Sequence, residues 1–115
     1  MLFLCHPNCT TCKKALQFLE SRGITPQIRD IRTEGPSLEE LTRWQQASGL
    51  PLKRFFNTSG QQYRALGLSE KLPGMDDAQQ LALLASDGML VKRPILVGDG
   101  FVLVGFRQNE WEAHL

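Results

Sequence analysis

Leu2-Phe3-Leu4-Cys5-His6-Pro7-Asn8-Cys9-Thr10-Thr11-Cys12-Lys13-Lys14-Ala15-Leu16 is the stretch that decides how this chain folds and what it does. An apolar run of strand character ends in a turn containing Pro7. The chain then enters a helical pattern with Cys-x-x-Cys in its first turn. Free backbone N–H groups at a helix N-terminus carry roughly half a positive charge, and Lys13 and Lys14 follow at once, so a thiolate on Cys9 is favoured over its thiol. A free cysteine of pKa ~8.5 is only a few per cent thiolate at neutral pH, whereas Cys-x-x-Cys thiols in such settings reach ~3.5–7.5. Cys12 lies one helical turn on and on the same face, so it can attack a sulfur adduct on Cys9 and release it as an internal disulfide. Cys9 is the expected attacking thiol and Cys12 the resolving one.

Two plainer readings compete. Cys-x-x-Cys is also half of a zinc site, but the only other ligands of the right kind are Cys5, His6 and the distant His114. A pair of inert core cysteines is the other alternative, favoured by apolar surroundings. Cys5 lies inside the apolar run and reads as a core residue.

Size and charge bound the function. A chain of 115 residues makes one domain, residues 1–115, able to bury roughly 60–70% of its unfolded surface without disulfide staples. Thirteen basic and 12 acidic residues leave a net charge of +1, so no global field draws it to nucleic acid or to an anionic membrane. No apolar run approaches the ~20 residues that span a bilayer, and Met1-Leu2-Phe3-Leu4 lacks a charged lead-in and a small-residue cleavage site. A cytoplasmic protein is expected, and in that reducing compartment a Cys-x-x-Cys is more often catalytic or redox-sensing than structural.

Outward from the opening stretch the pattern is α/β. Residues 1–6 read as a strand, about 10–22 as a helix closed by Gly23, and 24–31 as a second strand with alternating apolar residues. Such a β-α-β unit implies parallel strands with a right-handed crossover. Ser37-Leu38-Glu39-Glu40 matches a capping box opening a helix that ends before Gly49-Leu50-Pro51. Short helical segments follow near 53–56 and 61–66, then a helix capped by Asp76 and running through Ala85. Strands resume at 94–97 and 101–104, joined by the turn Gly98-Asp99-Gly100, and 106–115 is a closing helix carrying Trp111.

That order, βαβ then a helical insertion of about residues 34–88 then ββα, with Cys-x-x-Cys after the first strand, resembles the thioredoxin superfamily. A thioredoxin/glutaredoxin-like fold with a mixed sheet is expected. The resemblance implies a cis-proline opposite the active cysteine, and Pro94 in Arg93-Pro94 is the candidate. The stretches Pro7 to Lys14, Phe56-Asn57-Thr58-Ser59-Gly60, Tyr63-Arg64-Ala65-Leu66-Gly67-Leu68, Lys92-Arg93-Pro94-Ile95 and Val104-Gly105-Phe106-Arg107 narrow it: together they resemble the ArsC/Spx family over essentially the whole chain. That family includes arsenate reductases coupled to glutathione and glutaredoxin, and Spx-type regulators that bind the RNA polymerase α subunit and sense oxidants through Cys-x-x-Cys.

The resemblance makes Cys9 the catalytic cysteine. It also implies three arginines around the oxyanion, two matching Arg93 and Arg107 and the third falling at or next to Asn57. Neutral Asn57 offers hydrogen bonds where a guanidinium would bind an oxyanion bidentately, so weaker arsenate affinity is expected unless neighbouring Arg54 or Arg64 reaches the site. Thr10, Thr11 and Pro94 complete the expected substrate-binding set, while Lys53, Arg54 and Arg64 read as a solvated face. The reductases resolve with external glutathione and have no cysteine at the position of Cys12, which points to the Spx side; against it, Spx-type proteins carry a longer basic C-terminal tail, whereas this chain ends at Leu115. The implied reaction is attack by Cys9 on a small oxyanion or a sulfur, with Arg93 and Arg107 holding the anion and Cys12 closing the disulfide. Glutathione is the expected co-substrate, with glutathione, glutaredoxin or thioredoxin as reductant and no bound cofactor or metal. The alternative is a redox-switched module that binds the RNA polymerase α subunit.

Overall fold

The computed structural model describes residues 1–115. Strand β1 (Leu2–Cys5) runs into the turn that delivers helix α1 (Thr10–Ser21), and β2 (Gln27–Asp30) returns parallel to β1. Helix α2 (Leu38–Ser48) opens on the Ser37 capping box, with Ser37 Oγ accepting from the Glu40 N–H and Glu40 accepting from the Ser37 N–H, and closes on Gly49. A 3₁₀ turn at Leu52–Phe55, α3 (Gln61–Ala65), α4 (Leu68–Lys71) and α5 (Asp77–Ser86) follow. The hairpin β3 (Ile95–Val97) and β4 (Val102–Val104) leads to α6 (Gln108–His114). The sheet is mixed, in the order β2-β1-β3-β4, with β3 antiparallel to both neighbours. This is the expected α/β thioredoxin-like architecture.

Period-two alternation along the inner strands explains why both faces are covered. Leu4, Ile95, Val102 and Val104 face one way and pack with Leu41 and Trp44 of α2, Phe55 and Leu84 of α5. Phe3, Leu96 and Leu103 face the other way and pack with Ala15 and Leu19 of α1 and Trp111 of α6. Each fully buried Leu or Phe contributes ~1.5–3 kcal/mol, so α1 is pinned from beneath and its first turn is held on the sheet. Cys12 belongs to this second core, and Cys5 and Cys9 pack at its border.

The edge strand departs from expectation. Its regular part covers only Gln27–Asp30, and the alternation does not bury it: Ile28 is 55% exposed, while Ile31, just past the strand, is in the core. Pairing on one side only leaves an edge strand with a short ladder. An ion pair holds it instead, since Arg29 donates bidentately to Glu40 at 2.9 and 3.0 Å and stacks over Trp44, joining β2 to α2.

Candidate active site

The turn between β1 and α1 is shaped by its own backbone. The Cys9 N–H donates to the His6 carbonyl at 3.1 Å, the Asn8 N–H donates to His6 Nδ1 at 3.0 Å, and Cys9 is the N-cap of α1. Its Sγ accepts the Cys12 N–H at 3.3 Å, so the thiol replaces the oxygen that usually caps a helix. Cys9 is half-buried, Cys12 is buried, and all three cysteines are free thiols.

The two thiols of the motif are tuned in opposite directions. Burial alone would push the Cys9 thiol up; hydrogen bonds from the Cys12 thiol and the Cys12 N–H, and then the Arg93 guanidinium, outweigh it and bring Cys9 below its ordinary value. Burial pushes Cys12 up to about 12, and its neighbour Cys9 adds to that. Cys12 therefore keeps its proton and offers it to the Cys9 sulfur. Cys5 is also raised, first by burial and then by Asp30 and Cys9. Lys13 and Lys14, expected to stabilise the thiolate, are exposed; the cation beside Cys9 that favours its thiolate is Arg93.

Arg93 stands at the entrance to β3, joined to Pro94 by a cis peptide bond as expected. Its Nε and Nη1 are buried and have no hydrogen-bond partner. Arg93 as a whole is half-buried, and buried donors left unused are costly unless an acceptor completes them, so Arg93 is a candidate for holding an anion.

Beside it opens a cleft of about 450 Å³ lined by Arg93, Arg107 and Thr11 together with Lys53, Arg54 and Lys92. Backbone pairing brings these cations together from distant parts of the chain. The Lys92 N–H donates to the Phe55 carbonyl at 2.7 Å, the Asn57 N–H donates to the Leu90 carbonyl at 2.7 Å, and Phe56 and Val91 form an isolated antiparallel bridge. Lys53 and Arg54, read from the sequence as a solvated face with Arg64, thus line the cleft, whereas Arg64 does not. Arg107 is 64% exposed and its Nη1 lies 3.7 Å from Glu110 Oε1.

Gly105 sets the far wall. It holds φ +72°, a conformation that favours glycine; its N–H donates to the Pro94 carbonyl at 2.8 Å, and its carbonyl accepts Trp111 Nε1–H at 3.0 Å. These bonds place Arg107 next to the entrance of β3.

Three members of the expected set fall outside that cleft, Pro94 being buried at the entrance to β3. Asn57 lines an adjoining cleft of about 490 Å³ with Ser59, Gln61 and Gln62, and the two clefts share Arg93. Thr10 is the first residue of α1 and is exposed. No cluster of three or more His, Cys, Asp or Glu side chains is arranged to hold a metal ion, and His114, a ligand the zinc reading needs, stacks on Phe101 at 5.3 Å on α6.

Residues 4–114 match the model of the ArsC family. This chain belongs to the ArsC family. Among curated relatives of this ArsC-family protein, YusI of Bacillus subtilis is 47% identical over 99% of this chain and 97% of its own length. An arsenate reductase of Neisseria meningitidis is 31% identical over 96% of this chain and 93% of its own. More distant relatives include the global transcriptional regulator Spx of Listeria monocytogenes, 26% identical over 90% of this chain and 78% of its own. Among solved structures, an ArsC family related protein from Bacteroides fragilis superposes with a TM-score of 0.95 at 52% identity, covering 97% of this chain and 94% of that one. No helix is long and apolar enough to cross a membrane.

Proposed function

We propose that this ArsC-family protein is a thiol oxidoreductase that reduces an anionic substrate, arsenate being the first to test, with Cys9 as nucleophile and Cys12 as resolving thiol. The observation that carries this reading is Arg93, half-buried beside a cysteine that caps a helix and acting on it, with its Nε and Nη1 buried and free of any hydrogen-bond partner. Arg93 favours the Cys9 thiolate and, with Arg107, holds the anion that the thiolate attacks. On arsenate, the Cys9 sulfur bonds to arsenic as one oxygen leaves as water. Cys12 then loses its proton and attacks the Cys9 sulfur; the sulfur–arsenic bond breaks, its electron pair goes to arsenic, and arsenite leaves with a Cys9–Cys12 disulfide behind. Once Cys9 carries the adduct its charge is gone, so the part of the Cys12 pKa elevation due to Cys9 is relieved at the step where Cys12 must ionise. A cytosolic dithiol such as glutaredoxin or thioredoxin, or glutathione, returns the disulfide to the dithiol. The 31% sequence identity to an arsenate reductase of Neisseria meningitidis supports this reading.

The test is arsenate-dependent NADPH oxidation in the presence of glutathione, glutaredoxin and glutathione reductase, wild type against Cys9→Ser. Turnover lost in the variant supports it; no turnover from protein with titratable thiols contradicts the choice of arsenate.

A second reading has one observation of its own. Cys12 is part of the core between α1 and α6, so a Cys9–Cys12 disulfide would draw a core side chain toward the surface and repack that face. Such a module would bind the RNA polymerase α subunit in one redox state only, in keeping with its kinship to Spx and to the regulatory protein MgsR of Bacillus subtilis. Retention of the α subunit by reduced but not oxidised protein would favour it; equal retention, or none, would dismiss it.

A further inference from the structure

The cleft next to Arg93 is larger and more charged than a single tetrahedral oxyanion requires. Its volume of about 450 Å³ falls in the range of sites for whole small molecules, ~300–1,000 Å³. Five cations line it, Lys53, Arg54, Lys92, Arg93 and Arg107, and no carboxylate does. Lys53, Arg54, Lys92 and Arg93 form no ion pair, and the single partner of Arg107 is Glu110 at 3.7 Å. The whole chain carries a net charge of only +1, so this concentration is a local feature and no general basicity explains it. Like charges crowded in one concave wall repel each other, and an anion spread across them relieves that repulsion. Half-buried Phe106 supplies apolar surface on the same wall.

We propose that the cleft binds a low-molecular-weight disulfide bearing several negative charges, phosphates or carboxylates, and presents its sulfur to Cys9. The proposal rests on Cys9 being the nucleophile argued above and names the substrate class of that site. The Cys9 thiolate attacks one sulfur of the disulfide, forming a mixed disulfide and expelling the other half as a thiolate. Cys12 gives up its proton, attacks the Cys9 sulfur and expels the half that was held in the cleft. Two electrons pass from the Cys9–Cys12 dithiol to the substrate, which leaves as two thiols, and an external dithiol reductant restores the protein. The anionic body is held by Lys53, Arg54, Lys92 and Arg107, while Arg93 spans the body and the reacting sulfur.

The test compares kcat/KM for three disulfides with dithiothreitol-reduced protein: coenzyme A disulfide, rich in phosphates; oxidised glutathione, with carboxylates only; and hydroxyethyl disulfide, uncharged. Charge focusing of this kind raises association by ~10–10³-fold, so a charged disulfide is expected to exceed the uncharged one by at least about ten-fold at low salt. The advantage is expected to fall toward one in high salt and in Lys53→Gln/Lys92→Gln, both on the rim and unpaired. Preference for coenzyme A disulfide assigns phosphates as the recognised groups, and preference for oxidised glutathione assigns carboxylates; either supports the proposal. Equal rates with all three at every salt concentration overturn it while leaving Cys9 as nucleophile. If none forms a mixed disulfide with Cys9 although the thiols titrate, the thiol-reductase reading itself fails, and the proposal with it.

Discussion

The rim and the floor of the first turn of α1 hold chemically identical groups in opposite states. At the rim, Cys9 caps the helix, accepts an N–H and faces Arg93; on the floor, Cys12 sits in the core with Leu19 and Trp111. The difference teaches that Cys-x-x-Cys spacing places two thiols in reach of each other but does not decide which attacks. The cation beside one and the apolar packing around the other decide it, and the direct hydrogen bond from Cys12 to Cys9 strengthens both trends at once.

The comparison breaks most completely if the rim thiol is removed. Cys9→Ser is expected to lower turnover by at least about 10³-fold, because an alcohol is a far weaker nucleophile and Cys12 is protonated and buried; steady-state assay with any accepted substrate checks it. Arg93→Gln keeps both thiols and removes the cation between rim and cleft. A loss of about 10²-fold in kcat/KM is expected, the scale seen when one donor to a developing anion is deleted, together with an upward move of the Cys9 ionisation midpoint read from alkylation against pH. Cys12→Ser keeps the attack and removes the resolution, so one equivalent of substrate thiol accumulates on Cys9 as a mixed disulfide visible by mass spectrometry. An adduct on Cys12 in Cys9→Ser would reverse the roles.

The smallest effect probes the floor. Trp111→Phe leaves the Gly105 carbonyl without its donor and a gap in the α1–α6 core, a cost of ~1–3 kcal/mol in urea unfolding, with a lesser effect on activity through the placement of Arg107.

The rim was readable from local signals: an apolar strand, a proline turn and cysteines in the first turn of a helix bring together groups only a few residues apart. The parallel β1–β2 pair and the β3–β4 hairpin followed from the spacing of strands and turns, whereas the antiparallel pairing of β1 with β3 that joins them did not. The cationic wall was not readable, because Lys53 and Arg54 gain their place from the pairing of residues 55–57 with 90–92, and no periodicity distinguishes a cation on a cleft wall from one in solvent. For the same reason Lys13 and Lys14, adjacent in sequence, looked like the partners of Cys9, whereas Arg93, distant in sequence, is the partner in space. The exposure of Ile28 was hidden too, since alternation reveals a strand but not that it lies at the sheet edge.

The most direct test of the opposed thiols is the rate of alkylation by iodoacetamide at each cysteine, resolved by peptide mass spectrometry from pH 5 to 11. A thiol reacts through its thiolate, so its rate rises with pH and levels off above its pKa. Cys9 is predicted to level off below the ordinary range of a free thiol, while Cys12, held up to about 12, is still unmodified across most of the range. Coincident profiles for the two cysteines, or Cys12 reacting at the lower pH, would contradict the account.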